Sequence, residues 1–191
     1  ATDSVVTGKI ADGTIANADI ADLAASKLTG ALPAISGASL TGLTSAQMPA
    51  GSVLQVVQGS ELTAQTTISS TSFTDAGVTA SITPSSTSSK IIVTLTGLRQ
   101  NGRSTGGAIV STETQLLRGS TVIYKPGGES YQHYLSVGGA SSIDNWLLQS
   151  YEYLDSPSST SSVTYKLQAR YIYGNYFRCR GGHITLMEIV G

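Results

Sequence analysis

The chain has 191 residues and a mass of 19.7 kDa; 40% of its residues are hydrophobic, 12% are charged, and the formal net charge is -1. That suits one globular domain with a small appendage, and it lacks the basic footprint a nucleic-acid binder needs. One cysteine excludes an intrachain disulfide framework and a cysteine-based zinc site, and no apolar run approaches the ~20 residues of a membrane span, so neither nucleic acid nor membrane insertion is expected.

The first fifty residues hold no aromatic side chain, whereas all nine tyrosines lie after residue 120. Composition thus separates an arm, residues 1–47, from a remainder, residues 48–191. In the arm a five-residue pattern recurs as Ile10-Ala11-Asp12, Ile15-Ala16-Asn17 and Ile20-Ala21-Asp22. Five is odd, so along an extended strand successive isoleucines point to opposite faces and no single side can be buried. Three copies are few for a single-chain solenoid. Ile20, Leu23, Ala24, Lys27 and Leu28 take the spacing of a short amphipathic helix over residues 19–28, with Asp19 as cap and Gly30 as stop. Such a helix is marginal alone. The expectation is an extended, repetitive shaft in which Ile10, Ile15, Ile20, Leu23, Leu28, Leu40 and Leu43 meet their copies at the axis of a symmetric homo-oligomer.

From Met48 onward, short β-rich segments alternate with Gly, Ser and Asn clusters, the rhythm of a β-sandwich or jelly roll. Strands are expected at Ser52 to Gln58, Val78 to Thr83, Lys90 to Gly97, Ala108 to Arg118, Thr121 to Tyr124, Ser142 to Tyr153, Val163 to Tyr173 and His183 to Val190, with weaker ones near Thr67 and Tyr131. Between Val163 and Tyr173 the alternation is strict: Tyr165, Leu167, Ala169 and Tyr171 on one face, Thr164, Lys166, Gln168 and Arg170 on the other. Gly119 centres a tight hairpin. The near-identical runs Pro84 to Ser89 and Ser156 to Ser161 read as equivalent loops, and the Gly-Gly pairs starting at Gly106, Gly127, Gly138 and Gly181 as further loops.

These residues carry a resemblance. Lys9-Ile10-Ala11-Asp12-Gly13-Thr14-Ile15 and Ser39-Leu40-Thr41-Gly42-Leu43 resemble the repetitive shaft of bacteriophage fibre proteins. Gly51-Ser52-Val53-Leu54-Gln55-Val56-Val57-Gln58, Leu117-Arg118-Gly119-Ser120, Leu154-Asp155-Ser156-Pro157, Tyr165-Lys166-Leu167-Gln168-Ala169-Arg170 and Ile184-Thr185-Leu186-Met187-Glu188-Ile189 are similar to the distal domain on fibres of marine and cyanobacterial phages. The resemblance implies an all-β homotrimer of shaft and β-sandwich head that acts outside the cell on the virion, tail or capsid, joining other virion proteins through its arm and binding a host-surface glycan or protein. Few residues precede the repeats, so a structural head fibre or capsid decoration anchored by the arm stands beside the tail-fibre reading.

Chemistry is sparse. Asp144, Glu152 and Asp155 form the one local carboxylate cluster that a surface polysaccharide depolymerase could use, and they are expected to be merely solvated. No Gly-x-Ser-x-Gly elbow marks a nucleophile, and His133 and His183 stand apart, so no enzyme, cofactor or metal is expected, apart from the open possibility of a metal on a trimer axis. Cys179, between Arg178 and Arg180, is expected to be a half-buried, inert thiol. Sugar sites combine an aromatic platform with convergent polar groups. Two glycine-bounded segments offer this: Tyr131, His133 and Tyr134, and Asn175, Tyr176, Phe177, Arg178 and Arg180. They are expected to form tip loops, with the arginines pairing acidic sugars, while Tyr165, Tyr171 and Trp146 pack in the core.

Overall fold

A computed structural model describes residues 45–103, 109–126, 133–136, 138 and 142–191. The chain parts into two units, Ala1–Thr41 and Gly42–Gly191. The shaft, the helix over residues 19–28, the interface residues from Ile10 to Leu43, and Tyr131 lie outside the described residues. Among its described residues the second unit is all-β apart from one 3-10 turn at Ser45–Gln47. Its strands are β1 (Val53–Gln58), β2 (Thr66–Ile68), β3 (Thr74–Ile82), β4 (Lys90–Arg103), β5 (Ile109–Arg118), β6 (Thr121–Tyr124), β7 (His133–Ser136), β8 (Ile143–Asp155), β9 (Val163–Tyr173) and β10 (Tyr176–Ile189). Two antiparallel five-stranded sheets form a sandwich: sheet A runs β1-β10-β4-β8 with β2 also on β10, and sheet B runs β3-β9-β5-β6 with β7 also on β5.

Period-two patterning builds the core. On β3, Ala76, Val78, Ala80 and Ile82 are buried between exposed neighbours, and they face Ile91, Val93 and Leu95 of β4 and Ile184 and Leu186 of β10 in one apolar cluster. Tyr165, Leu167 and Ala169 of β9 complete it. Each fully buried aliphatic side chain contributes about 1.5–3 kcal/mol. Tyr171 is only partly buried, because β9 runs out of apolar cluster there and pairs with Thr112.

Gly119 takes φ 59 in the β5–β6 turn, as a tight hairpin requires. Gly181-Gly182, by contrast, is not a loop. It is a bulge inside β10, where the register steps from Arg180 opposite Leu98 to His183 opposite Thr96. The bulge is pinned by Gly181 N–H donating to Leu62 O and Leu62 N–H to Gly182 O, both 2.8 Å.

Strand directions sort the connections. The loops β3–β4 and β8–β9, the turn β5–β6 and the point of chain entry, where Gly51 N–H donates to Val190 O, lie at one end, called proximal. The β9–β10 turn and the strand termini Arg103, Ile109, Ser136 and Ile143 lie at the other, distal end. Proximally the core is apolar and every buried charge described has a partner: Asp155 takes two bonds from Arg118 and one, 2.7 Å, from the hydroxyl of Tyr165. Glu188, fully buried, accepts from Gln55, from the N–H and hydroxyl of Ser85, and from Ser89, at 2.5–2.7 Å. Distally, Arg99, Asn101, Thr112 and Thr114 occupy the corresponding buried positions.

Candidate recognition surface

The expected tip loop at residues 175–180 is a strand. Gly174 turns the chain at φ 117, Asn175 N–H donates to Gly102 O at 3.1 Å, and β10 begins at Tyr176. Alternation then divides the segment: Phe177 and Cys179 enter the core at 1% and 5% exposure, while Tyr176, Arg178 and Arg180 lie on the outer face of sheet A. The candidate surface is therefore a strand face, not a set of loops.

Register places three cross-strand rows on that face. Asp144 of β8 and Tyr176 of β10 flank Gly102 of β4; Trp146 and Arg178 flank Gln100; Leu148 and Arg180 flank Leu98. The ring of Tyr176 covers Gly102, where a Cβ would collide with it. The guanidinium of Arg178 lies 4.0 Å from the centroid of the Tyr176 ring and donates through Nη1 to Gln100 Oε1 at 3.1 Å. Gln100 Nε2 in turn donates to the carboxylate of Asp144. Arg180 lies 5.2 Å over the indole of Trp146, and Leu148, 72% exposed, forms an apolar ledge beside them.

Each arginine is thus stacked on an aromatic ring, and among the described residues neither is ion-paired with a carboxylate. Stacking fixes a guanidinium while leaving N–H donors for a ligand. With Trp146 and Leu148 this makes a surface suited to a partner with an apolar face and acceptor groups.

The other sequence-based candidates fall elsewhere. Tyr134, about half exposed, and His133 belong to β7, which pairs with β5 at the margin of sheet B, whereas Arg178 and Arg180 belong to β10 of sheet A. Trp146 corrects the expectation of a core residue, since β8 is the edge strand of sheet A and places the indole outside, 39% exposed. Cys179 is buried rather than half-buried. Burial pushes its thiol up to about 11, with Arg99 pulling the other way; Arg178 and Arg180 point to the opposite face. The three carboxylates do not converge: Asp144 and Glu152 lie on the outer face of β8 eight residues apart, roughly 27 Å along a strand, while Asp155 faces inward to Arg118. Leu148, and Gln100 buried beneath Arg178, belong to this face and are not found by motif reading, which places Asp144 only in a carboxylate cluster. The signal for them is strand parity.

No family model and no curated protein matches the chain. Among solved structures it is similar to VP2 in the subviral particle of infectious bursal disease virus, at 15% identity over 72% of this chain and 33% of that one, with a TM-score of 0.35. It is also similar to a structure of the Gx strain of that virus (16% identity, 84% and 38% covered, TM-score 0.34) and to dimeric latent PorU from Porphyromonas gingivalis (13%, 75% and 14%, TM-score 0.28). The chain spans about a third of the length of the VP2 chain and less of PorU.

Proposed function

We propose that this chain is a homotrimeric virion fibre protein whose β-sandwich head adsorbs to a host-surface glycan or protein through the distal outer face of sheet A. The observation that carries the reading is the combination, on one chain, of aromatic-free isoleucine repeats with an all-β head bearing ring-stacked arginines that no described carboxylate pairs, beside exposed Trp146 and Leu148. The strand order 1-10-4-8 against 3-9-5-6 also fits the winding of a jelly roll, common in viral structural domains. Tryptophan, tyrosine and arginine are the side chains that concentrate binding energy at interfaces, and three heads on one surface would raise a weak single contact by roughly a hundredfold or more through avidity. The protein would act outside the cell, attached to the particle through its arm.

The test is adsorption of particles carrying Trp146→Ala with Arg180→Ala. Host binding is expected to be lost with the trimer and melting temperature unchanged, and sensitivity to salt is expected of the wild type because guanidinium pairing is screened. Unchanged adsorption by the double variant would contradict the assignment of this face.

A further inference from the structure

We infer that the distal interior of the sandwich is a binding site for one small monovalent anion, of the chloride class, held by Arg99. Arg99 is 3% exposed and lies between the sheets. Among the described residues its guanidinium meets only neutral acceptors: Gln149 Oε1 at 2.6 Å, Thr112 Oγ1 at 2.7 Å and the Tyr151 hydroxyl at 3.5 Å. The buried carboxylates described are engaged elsewhere, Asp155 with Arg118, Glu113 with Arg170, and Glu188 with four donors at the proximal end. An isolated buried cation is among the costliest groups a fold can carry, and is ordinarily paired.

The local hydrogen bonding is short of acceptors. Among the described residues Arg99 Nε and Asn101 Nδ2, both on β4, are buried donors with no partner; the Thr112 hydroxyl of β5 accepts from Arg99 Nη2 and donates to Asn101 Oδ1, both at 2.7 Å. Beside Arg99, and not reached by Asn101, is a cavity of about 20 Å³ with a mostly apolar wall that includes Leu167 and Phe177 and is polar at Arg99, Gln149, Tyr151 and Thr96. That holds a guest of one or so heavy atoms. A water would fill the space and leave the charge unbalanced, whereas a halide supplies the missing acceptor and the missing charge together. Cys179 does not supply it as a thiolate, since its thiol titrates at about 11.

The full chain is melted in sodium bromide, sodium chloride and sodium gluconate at equal ionic strength, and crystals grown in bromide are measured at the bromine edge. The melting temperature is expected to rise by several degrees and saturate with halide, as ligand linkage requires, with an anomalous peak beside Arg99. Arg99→Met, which removes the charge and keeps the length, is expected to lose the halide dependence. Equal melting of the wild type in halide and gluconate, or a cavity with no anomalous peak, would overturn the site whether or not the variant folds.

Discussion

The proximal and distal halves of the sandwich are built from the same strands by opposite rules. β4 carries Ile91, Val93 and Leu95 into the core and then, on the same face, Arg99 and Asn101. β10 in reverse order carries Leu186 and Ile184 proximally, and distally it presents Arg178 and Arg180 to solvent. Proximally, buried charges are saturated with partners and the outer face holds the simple row Val56, Met187, Ile92 and Leu154. Distally, buried donors go unmatched and the outer face collects aromatic-stacked guanidinium groups. Departures from consistent packing concentrate where a protein binds something, so the contrast is what the proposal of recognition at the distal end rests on.

The comparison breaks first at its hydrophobic end. Ile184→Ala should cost about 2–5 kcal/mol in urea denaturation, the range for emptying a fully buried aliphatic site; a cost below 1 kcal/mol would mean that the proximal core does not carry the fold.

Glu188 gives the next largest effect and a pH signature. Its four donors hold its carboxyl below the usual range even though burial acts to raise it. A depressed folded value means that the stabilisation is complete above the ordinary carboxylate pKa and is lost as pH falls through the depressed one. Acid unfolding should therefore be steep below about pH 4. Glu188→Gln should lower neutral-pH stability by roughly 1.5–3 kcal/mol and flatten that acid limb; an unchanged limb would place the acid-sensitive group elsewhere.

Tyr165→Phe should cost less, about 1–2 kcal/mol, by removing one donor from Asp155 while Arg118 keeps its two bonds. The smallest effect belongs to the distal outer face. Trp146→Ala with Arg180→Ala should shift stability by only about 0.5 kcal/mol, as exposed substitutions do, and a loss as large as that of Ile184→Ala would return these side chains to a structural role.

Legibility in the sequence follows the same division. β9 can be read directly, since Tyr165, Leu167 and Ala169 alternate with Thr164, Lys166 and Gln168 and one face is wet. Gly119 is legible because only a glycine takes φ 59 there without strain. The start of β10 is not, because Arg178, Arg180 and the glycine pair look like loop chemistry, whereas the arginines occupy a solvated sheet face and Gly181-Gly182 makes a bulge. Trp146 misleads for a related reason: both parities of β8 carry apolar residues, Leu147 and Tyr151 on one and Trp146 and Leu148 on the other, so alternation alone cannot say which faces the core. Its register against β4 decides it. Arg99 is hidden by its position just past Gly97, where strand patterning fades although β4 continues to Arg103.

The account turns most on three distal faces acting together, so the deciding measurement is native mass spectrometry of the intact chain at neutral pH. A species of three chains that survives dilution is predicted. A well-folded single chain would contradict it.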